Sequence, residues 1–196
     1  MIHADVLTTG LKGVFCGINY PPSALGPQNF ATKSNRFWRT LHRAGFTDVE
    51  LSAQEDRRLL DYGYGITATV PRATRRAEEL SAEEIRQARP AFEARIRKYA
   101  PRAIAFLGKR ALAAMLGRSD VEWGLQREPF ASATTWVLPN PSGRNLAYDL
   151  EALVHAYAEF RYAVEASPRA EKSSRLNLRR LRMRARVGSR AAKGAP

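Results

Sequence analysis

SAEEIRQARPAFEARIRKYAPRAIAFL, residues 81–107, is the stretch that decides the fold. Ser81 with Glu84 three residues on is a capping box, the reciprocal pairing that starts a helix. Behind it Ile85, Phe92, Ile96 and Tyr99 recur at helical spacing and lay an apolar stripe along one side. Pro101 cannot continue a helix, so the helix ends there. AIAFL at 103–107 has no polar side chain, which is the pattern of a strand buried on both faces. Upstream, GITATV at 65–70 is rich in β-branched residues and reads as another strand. Strand, helix, strand in succession is a βαβ unit.

The same alternation extends in both directions. GVFCGI at 13–18 is a short apolar run that ends in Asn19 and Tyr20, a buried strand followed by a loop. Ser34 is the expected cap of a helix to about Ala44, with Phe37, Trp38 and Leu41 on one face and Gly45 as its stop. Ser52 and Glu55 form a second capping box, with Leu59 and Leu60 behind it. Downstream, a helix runs from about Lys109 to Leu116, and TWVL at 135–138 is a fourth strand. Leu150, Leu153, Val154, Tyr157 and Phe160 mark a last amphipathic helix. The expectation is an α/β protein, a three-layer α/β/α sandwich around a mostly parallel sheet. Sites in such sheets lie outside the carboxyl ends of the strands. Two loops fall there, 17–30 and 139–145.

Composition limits the chemistry. The chain has 196 residues, 32 Lys+Arg, 19 Asp+Glu and a net charge of +13. Apolar residues at 44% are enough for an ordinary core. One cysteine, Cys16, excludes a disulfide framework and any cluster held by several cysteines of this chain. His3, His42 and His155 lack metal-ligand spacing, and Gly108-Lys109 lacks the upstream glycine of a phosphate-binding loop. No apolar run reaches membrane-spanning length and no secretory signal is visible, so the chain reads as soluble and intracellular. The charge excess is concentrated at the end. Residues 167–196 hold ten Lys or Arg against the single acid Glu171. This block, low in aliphatic residues, is expected to be a disordered basic tail behind a domain at 1–166. A polycation of this kind suits an anionic partner, most simply nucleic acid.

The two loops carry the residues that could act on such a partner. An amide such as Asn19 can hold a water or read a base edge, because it donates and accepts at once. An aromatic such as Phe30 can stack on a flat base. The second loop, Asn140-Pro141-Ser142-Gly143-Arg144-Asn145, is rich in turn residues.

Several stretches together resemble a known family. They are VFCGIN (14–19), NRFW (35–38), AGFT (44–47), LLDY (59–62), GIT (65–67) and WVLPNPSG (136–143). Over about 10–162 the chain resembles the bacterial mismatch-specific uracil/thymine DNA glycosylases of the uracil-DNA glycosylase superfamily. The resemblance implies a glycosylase domain at 1–166 that flips uracil, or thymine or another damaged pyrimidine opposite guanine, out of the duplex. It implies hydrolysis of the N-glycosidic bond to leave an abasic site, with Asn19 as the catalytic residue that positions the water. Ile18, Tyr20, Ser23, Phe30, Ala68 and Asn140 would line the base pocket, Phe30 by stacking and Ile18 by a backbone N–H toward the leaving base. Ser142, Gly143, Arg144 and Asn145 would enter the minor groove. The implied partner is double-stranded DNA with a uracil or mismatch, with single-stranded DNA as a second. Neither metal nor cofactor is implied, and the resemblance implies a monomer in the bacterial cytoplasm, associated with the nucleoid.

Four positions depart from the family pattern. Tyr20-Pro21 stands where Pro-Gly is usual, and Arg144 where the wedge leucine is usual. The loop to Phe30 is about one residue shorter, which leaves the role of Ser23 open. Ala68 stands where a polar residue is common; natural or substituted, a methyl group there cannot polarise a water. Tyr20 and Ala68 favour an alternative, a non-catalytic nucleic-acid-binding protein that keeps the fold. Asn19 and Phe30 argue against it. A third reading, an RNA-associated basic domain, rests on charge alone.

Overall fold

The computed structural model describes residues 5–20 and 28–166. The expected basic tail at 167–196 and Ser23 lie outside the described residues. The described residues up to Val164 fall in one compact unit.

Five strands form one sheet: β1 (Gly13–Asn19), β2 (Tyr64–Val70), β3 (Ala103–Leu107), β4 (Gly124–Leu125) and β5 (Thr134–Leu138). Their order is β2-β1-β3-β5-β4. The first four in that order run parallel, and β4 is antiparallel to β5. Four helices accompany them: α1 (Phe37–Arg43), α2 (Ala82–Tyr99), α3 (Lys109–Leu116) and α4 (Leu150–Ala166).

Alternation along the strands separates two cores. Phe15, Ile66, Ala105, Trp136 and Leu138 pack on one face with Phe37 and Leu41 of α1 and Tyr157 and Phe160 of α4. Cys16, Ile104, Phe106 and Val137 pack on the other with Ile85, Phe92 and Ile96 of α2 and Leu112 and Met115 of α3. Each of the four parallel strands therefore buries both faces, and the three-layer α/β/α architecture expected from the sequence is present. All seven residues of β2 are buried although it lies at the edge. Its outer side is covered by Val6, which exchanges two backbone hydrogen bonds of 2.9 Å with Ile66. Gly65 makes that approach possible, since a Cβ there would lie 2.5 Å from the Val6 carbonyl oxygen.

Three local expectations need correction. Ser34 does not cap α1. The helix starts two residues later, and the Asn35 side chain accepts the Phe37 N–H at 2.9 Å. The Ser52 box is made, with the Ser52 N–H donating to Glu55 at 3.0 Å, but it opens a 3-10 segment, Ala53–Tyr62. The sheet has a fifth strand, β4, whose two residues carry no pattern of their own and are fixed by pairing with β5. The Ser81 box behaves as expected, with Glu84 N–H donating to the Ser81 hydroxyl at 3.0 Å.

Candidate active site

All four parallel strands deliver their carboxyl ends to one edge of the sheet. Asn19 ends β1 opposite Val70 of β2, and Leu107 ends β3 opposite Leu138 of β5. The two loops singled out in the sequence leave from this edge, at Asn19 and at Leu138.

Asn19 is half-buried, and its amide nitrogen is fully engaged. It donates to the Tyr20 carbonyl at 2.8 Å, to the Thr74 carbonyl at 3.0 Å and to the Thr74 hydroxyl at 2.8 Å. Those partners sit on the nitrogen side, so the amide oxygen Oδ1 is directed the other way. Ile18, the preceding residue, is half-buried in β1.

Tyr20 is only 6% exposed. Its hydroxyl donates to the Asp5 carboxylate, which also accepts from the Thr67 hydroxyl at 2.7 Å and faces Arg95 Nε at 3.4 Å. Burial first, and then the bond to Asp5, push the Tyr20 phenol well above its ordinary range. Arg95 continues the network to the Thr67 hydroxyl at 3.1 Å and the Ala68 carbonyl at 2.9 Å. Ala68 lies inside β2 opposite Gly17 and is 2% exposed. Cys16 faces the α2 side, with its sulfur 3.4 Å from the Thr69 hydroxyl. Complete burial pushes its thiol up to about 12, against the lowering effect of Thr69.

Phe30 has a backbone φ of +57°, a left-handed conformation that bulky residues seldom adopt. Its neighbour Asn29 anchors the segment. The Asn29 side chain donates to Asp56 at 3.0 Å, and its carbonyl accepts from the Trp38 indole at 3.3 Å. The Phe30 ring stacks on Phe37 with centroids 4.0 Å apart and 24° between planes. Beside it opens a cleft of about 440 Å³, lined among others by Thr32, Lys33, Arg36, Arg39 and Gln54.

The loop after β5 organises itself around Asn140. Asn140 Oδ1 accepts the Ser142 N–H at 2.9 Å, and its carbonyl accepts the Asn145 side chain at 2.9 Å. Its Nδ2 donates toward the Leu107 carbonyl at 3.4 Å, which ties the loop to the end of β3. Arg36 holds the whole turn from outside. Its guanidinium donates to the carbonyls of Tyr148 at 2.6 Å, Ser142 and Asn145 at 2.9 Å each, and Pro141 at 3.4 Å. Its backbone N–H donates to Pro141 as well, at 3.0 Å. Gly143 passes so close to Ser34 that a Cβ would lie 2.6 Å from the Ser34 carbonyl oxygen and from its Cβ. Arg144 is exposed, with its N–H 3.3 Å from the Ser142 hydroxyl. Two residues on, Leu146 is 90% exposed, the most exposed of the large apolar side chains described.

Asn140, Ser142, Gly143, Arg144 and Asn145 thus form one unit, and Asn19 and Tyr20 another, bonded through Thr74. Phe30 belongs to the wall of the cleft, and Ala68 to the interior of β2. Asp5, Thr74, Arg36 and Leu146 were not singled out from the sequence. Arg36 stands in the NRFW stretch, which is the one signal that could have flagged it; the partners of the others are set only by the fold. Among the described residues no group of three or more His, Cys, Asp or Glu could hold a metal ion. None of the described helices is long and apolar enough to cross a membrane. With the fold and this edge defined, the match of a protein-family model, the uracil DNA glycosylase superfamily, to residues 5–161 assigns the chain: it belongs to that superfamily of hydrolases that act on DNA.

Proposed function

We propose that the protein is a monofunctional DNA N-glycosylase of the mismatch-specific type, which extrudes uracil or a related pyrimidine opposite guanine and hydrolyses its glycosidic bond. The observation that carries this reading is the state of Asn19. A carboxamide whose nitrogen is held by three acceptors presents its oxygen as the remaining acceptor, and that oxygen suits the hydrogen of an attacking water.

An amide is a poor base, so it cannot deprotonate water ahead of attack. The water adds instead to a sugar carbon, C1′, that has become oxocarbenium-like as the base departs, and its placement dominates over its deprotonation. The base leaves as an anion and is stabilised by backbone N–H groups near the end of β1, that of Ile18 included, as an oxyanion hole stabilises an alkoxide. Phe30, backed by Phe37, supplies the stacking face for the extruded base. Tyr20 does not serve as a stacking or edge-reading group in this reading. Its hydroxyl is engaged by Asp5, and its role is to hold the chain just after Asn19.

The loop at 140–146 is the part that enters the duplex. Proteins that hold a base out of its stack fill the gap with an apolar side chain. Leu146 is the apolar side chain that this loop presents to solvent, and it takes the wedge role that the resemblance would give to position 144. Arg144 beside it contacts phosphate.

The test is direct. Asn19→Ala is expected to bind a uracil-containing duplex as the parent does and to lose excision by about a thousandfold or more, read as alkali-labile abasic sites. Binding without excision by the parental protein would establish the non-catalytic alternative instead. Excision by Asn19→Ala at the parental rate would remove Asn19 from the mechanism.

A further inference from the structure

We infer that Thr74, in the segment after β2, is a positioning residue that fixes which way the Asn19 amide points. The inference rests on the reading of Asn19 given above and concerns a residue 55 positions away in the chain.

The donors and acceptors around Asn19 favour one orientation of its amide. Thr74 is 5% exposed and faces Asn19 with two oxygens. Its carbonyl can only accept. Its hydroxyl has a single hydrogen, which it donates to the Arg76 carbonyl at 2.7 Å. Toward Asn19 the hydroxyl oxygen is therefore an acceptor too. The third neighbour of the amide nitrogen, the Tyr20 carbonyl, is again an acceptor, at 2.8 Å. Rotating the amide by half a turn would set Oδ1 against three acceptors and take the NH2 group away from all three of these partners. That state is disfavoured, because an unsatisfied polar group costs more than an average hydrogen bond contributes. The Thr74 N–H closes the arrangement by donating to the Tyr20 carbonyl at 3.2 Å, so the turn after Asn19 and the Thr74 turn are clamped together. Thr74 touches no reacting atom; it acts through Asn19.

A double-mutant cycle on the full chain separates this role from a structural one. Thr74→Val keeps the shape and removes the hydroxyl, Thr74→Ser keeps the hydroxyl, and each is made alone and with Asn19→Ala. Single-turnover excision from a uracil-containing duplex is measured beside affinity for the same duplex carrying 2′-fluoro-2′-deoxyuridine, which resists hydrolysis. Thr74→Val is expected to slow excision about a hundredfold with affinity unchanged, the size of effect that small misplacement of a reacting group produces. Thr74→Ser is expected to restore the rate, and Thr74→Val is expected to cause no further loss when Asn19 is already alanine. In the unaltered protein, proton NMR is expected to show cross-relaxation between the Asn19 side-chain NH2 and the Thr74 β-proton, whatever the folding of the variants. Parental excision by Thr74→Val beside a dead Asn19→Ala overturns this inference alone. So does an equal loss in both backgrounds, or an Asn19 NH2 distant from Thr74. An Asn19→Ala protein at full rate overturns the Asn19 reading, and this inference with it.

Discussion

In the function proposed above, Leu146 fills the vacated stack and Arg144 meets phosphate. A guanidinium is hydrated, always charged and able to bond phosphate, while an isobutyl group can only fill space. Leu146 at 90% exposure makes little packing contribution to the folded protein, so its removal should cost little stability. Leu146→Ala is expected to melt like the parent and to slow excision from duplex DNA about tenfold more than from single strands, because only the duplex must be held open. Arg144→Ala is expected to slow excision equally on both substrates, since both offer the same phosphates. Parallel excision assays on the two substrates, with a fluorescent base analogue reporting flipping, check both outcomes. The reverse pattern would return the wedge to Arg144.

Among elements, the loop after β5 depends on a residue that precedes α1. One guanidinium and one backbone N–H of Arg36 serve four carbonyls between Pro141 and Tyr148. Lysine cannot replace this, because an ammonium is a point charge without the planar fork. Arg36→Lys and Arg36→Ala are both expected to lower the urea midpoint, the alanine change costing about 2 kcal/mol of stability, since hydrogen bonds to charged groups are the stronger ones and the carbonyls lose their donors. Weakened duplex binding should accompany the loss. The same dependence explains what could be read in the sequence and what could not. Strands β1, β2, β3 and β5 were legible because each is a short apolar or β-branched run buried on both faces, and Ser81 was legible because its cap is local. The start of α1 was misplaced because two cap-competent residues, Ser34 and Asn35, are adjacent and only geometry chooses between them. β4 was invisible because two residues hold no periodicity. Asn19 and the loop at 140–145 stand in recognisable motifs, GIN and PNPSG. Asp5 and Thr74 were not legible, because each meets Asn19 or Tyr20 across a sequence gap that only the sheet closes.

For the molecule as a whole, the positive charge is concentrated at one end of the sequence. Residues 167–196 carry nine of the thirteen net positive charges, outside the segment that the superfamily match covers. Deleting 167–196 is expected to leave uracil excision at saturating enzyme unchanged and to weaken duplex affinity. The salt dependence should flatten by about 0.9 in log–log slope for each phosphate that the shortened protein no longer neutralises. Titrations of parent and truncated protein at several salt concentrations measure this, and an unchanged slope would mean that the basic segment does not touch DNA. The interior holds a different resource for such measurements. Cys16 is the chain's single cysteine, shut inside the sheet, where burial pushes its thiol up to about 12. Maleimide and iodoacetamide act on an accessible thiolate, so burial shields Cys16 from them in the native fold. A cysteine introduced at exposed Ala147, beside Leu146, would be the sole point of attachment. A dye, spin label or surface tether can thus be set on the loop after β5 with no prior cysteine removal.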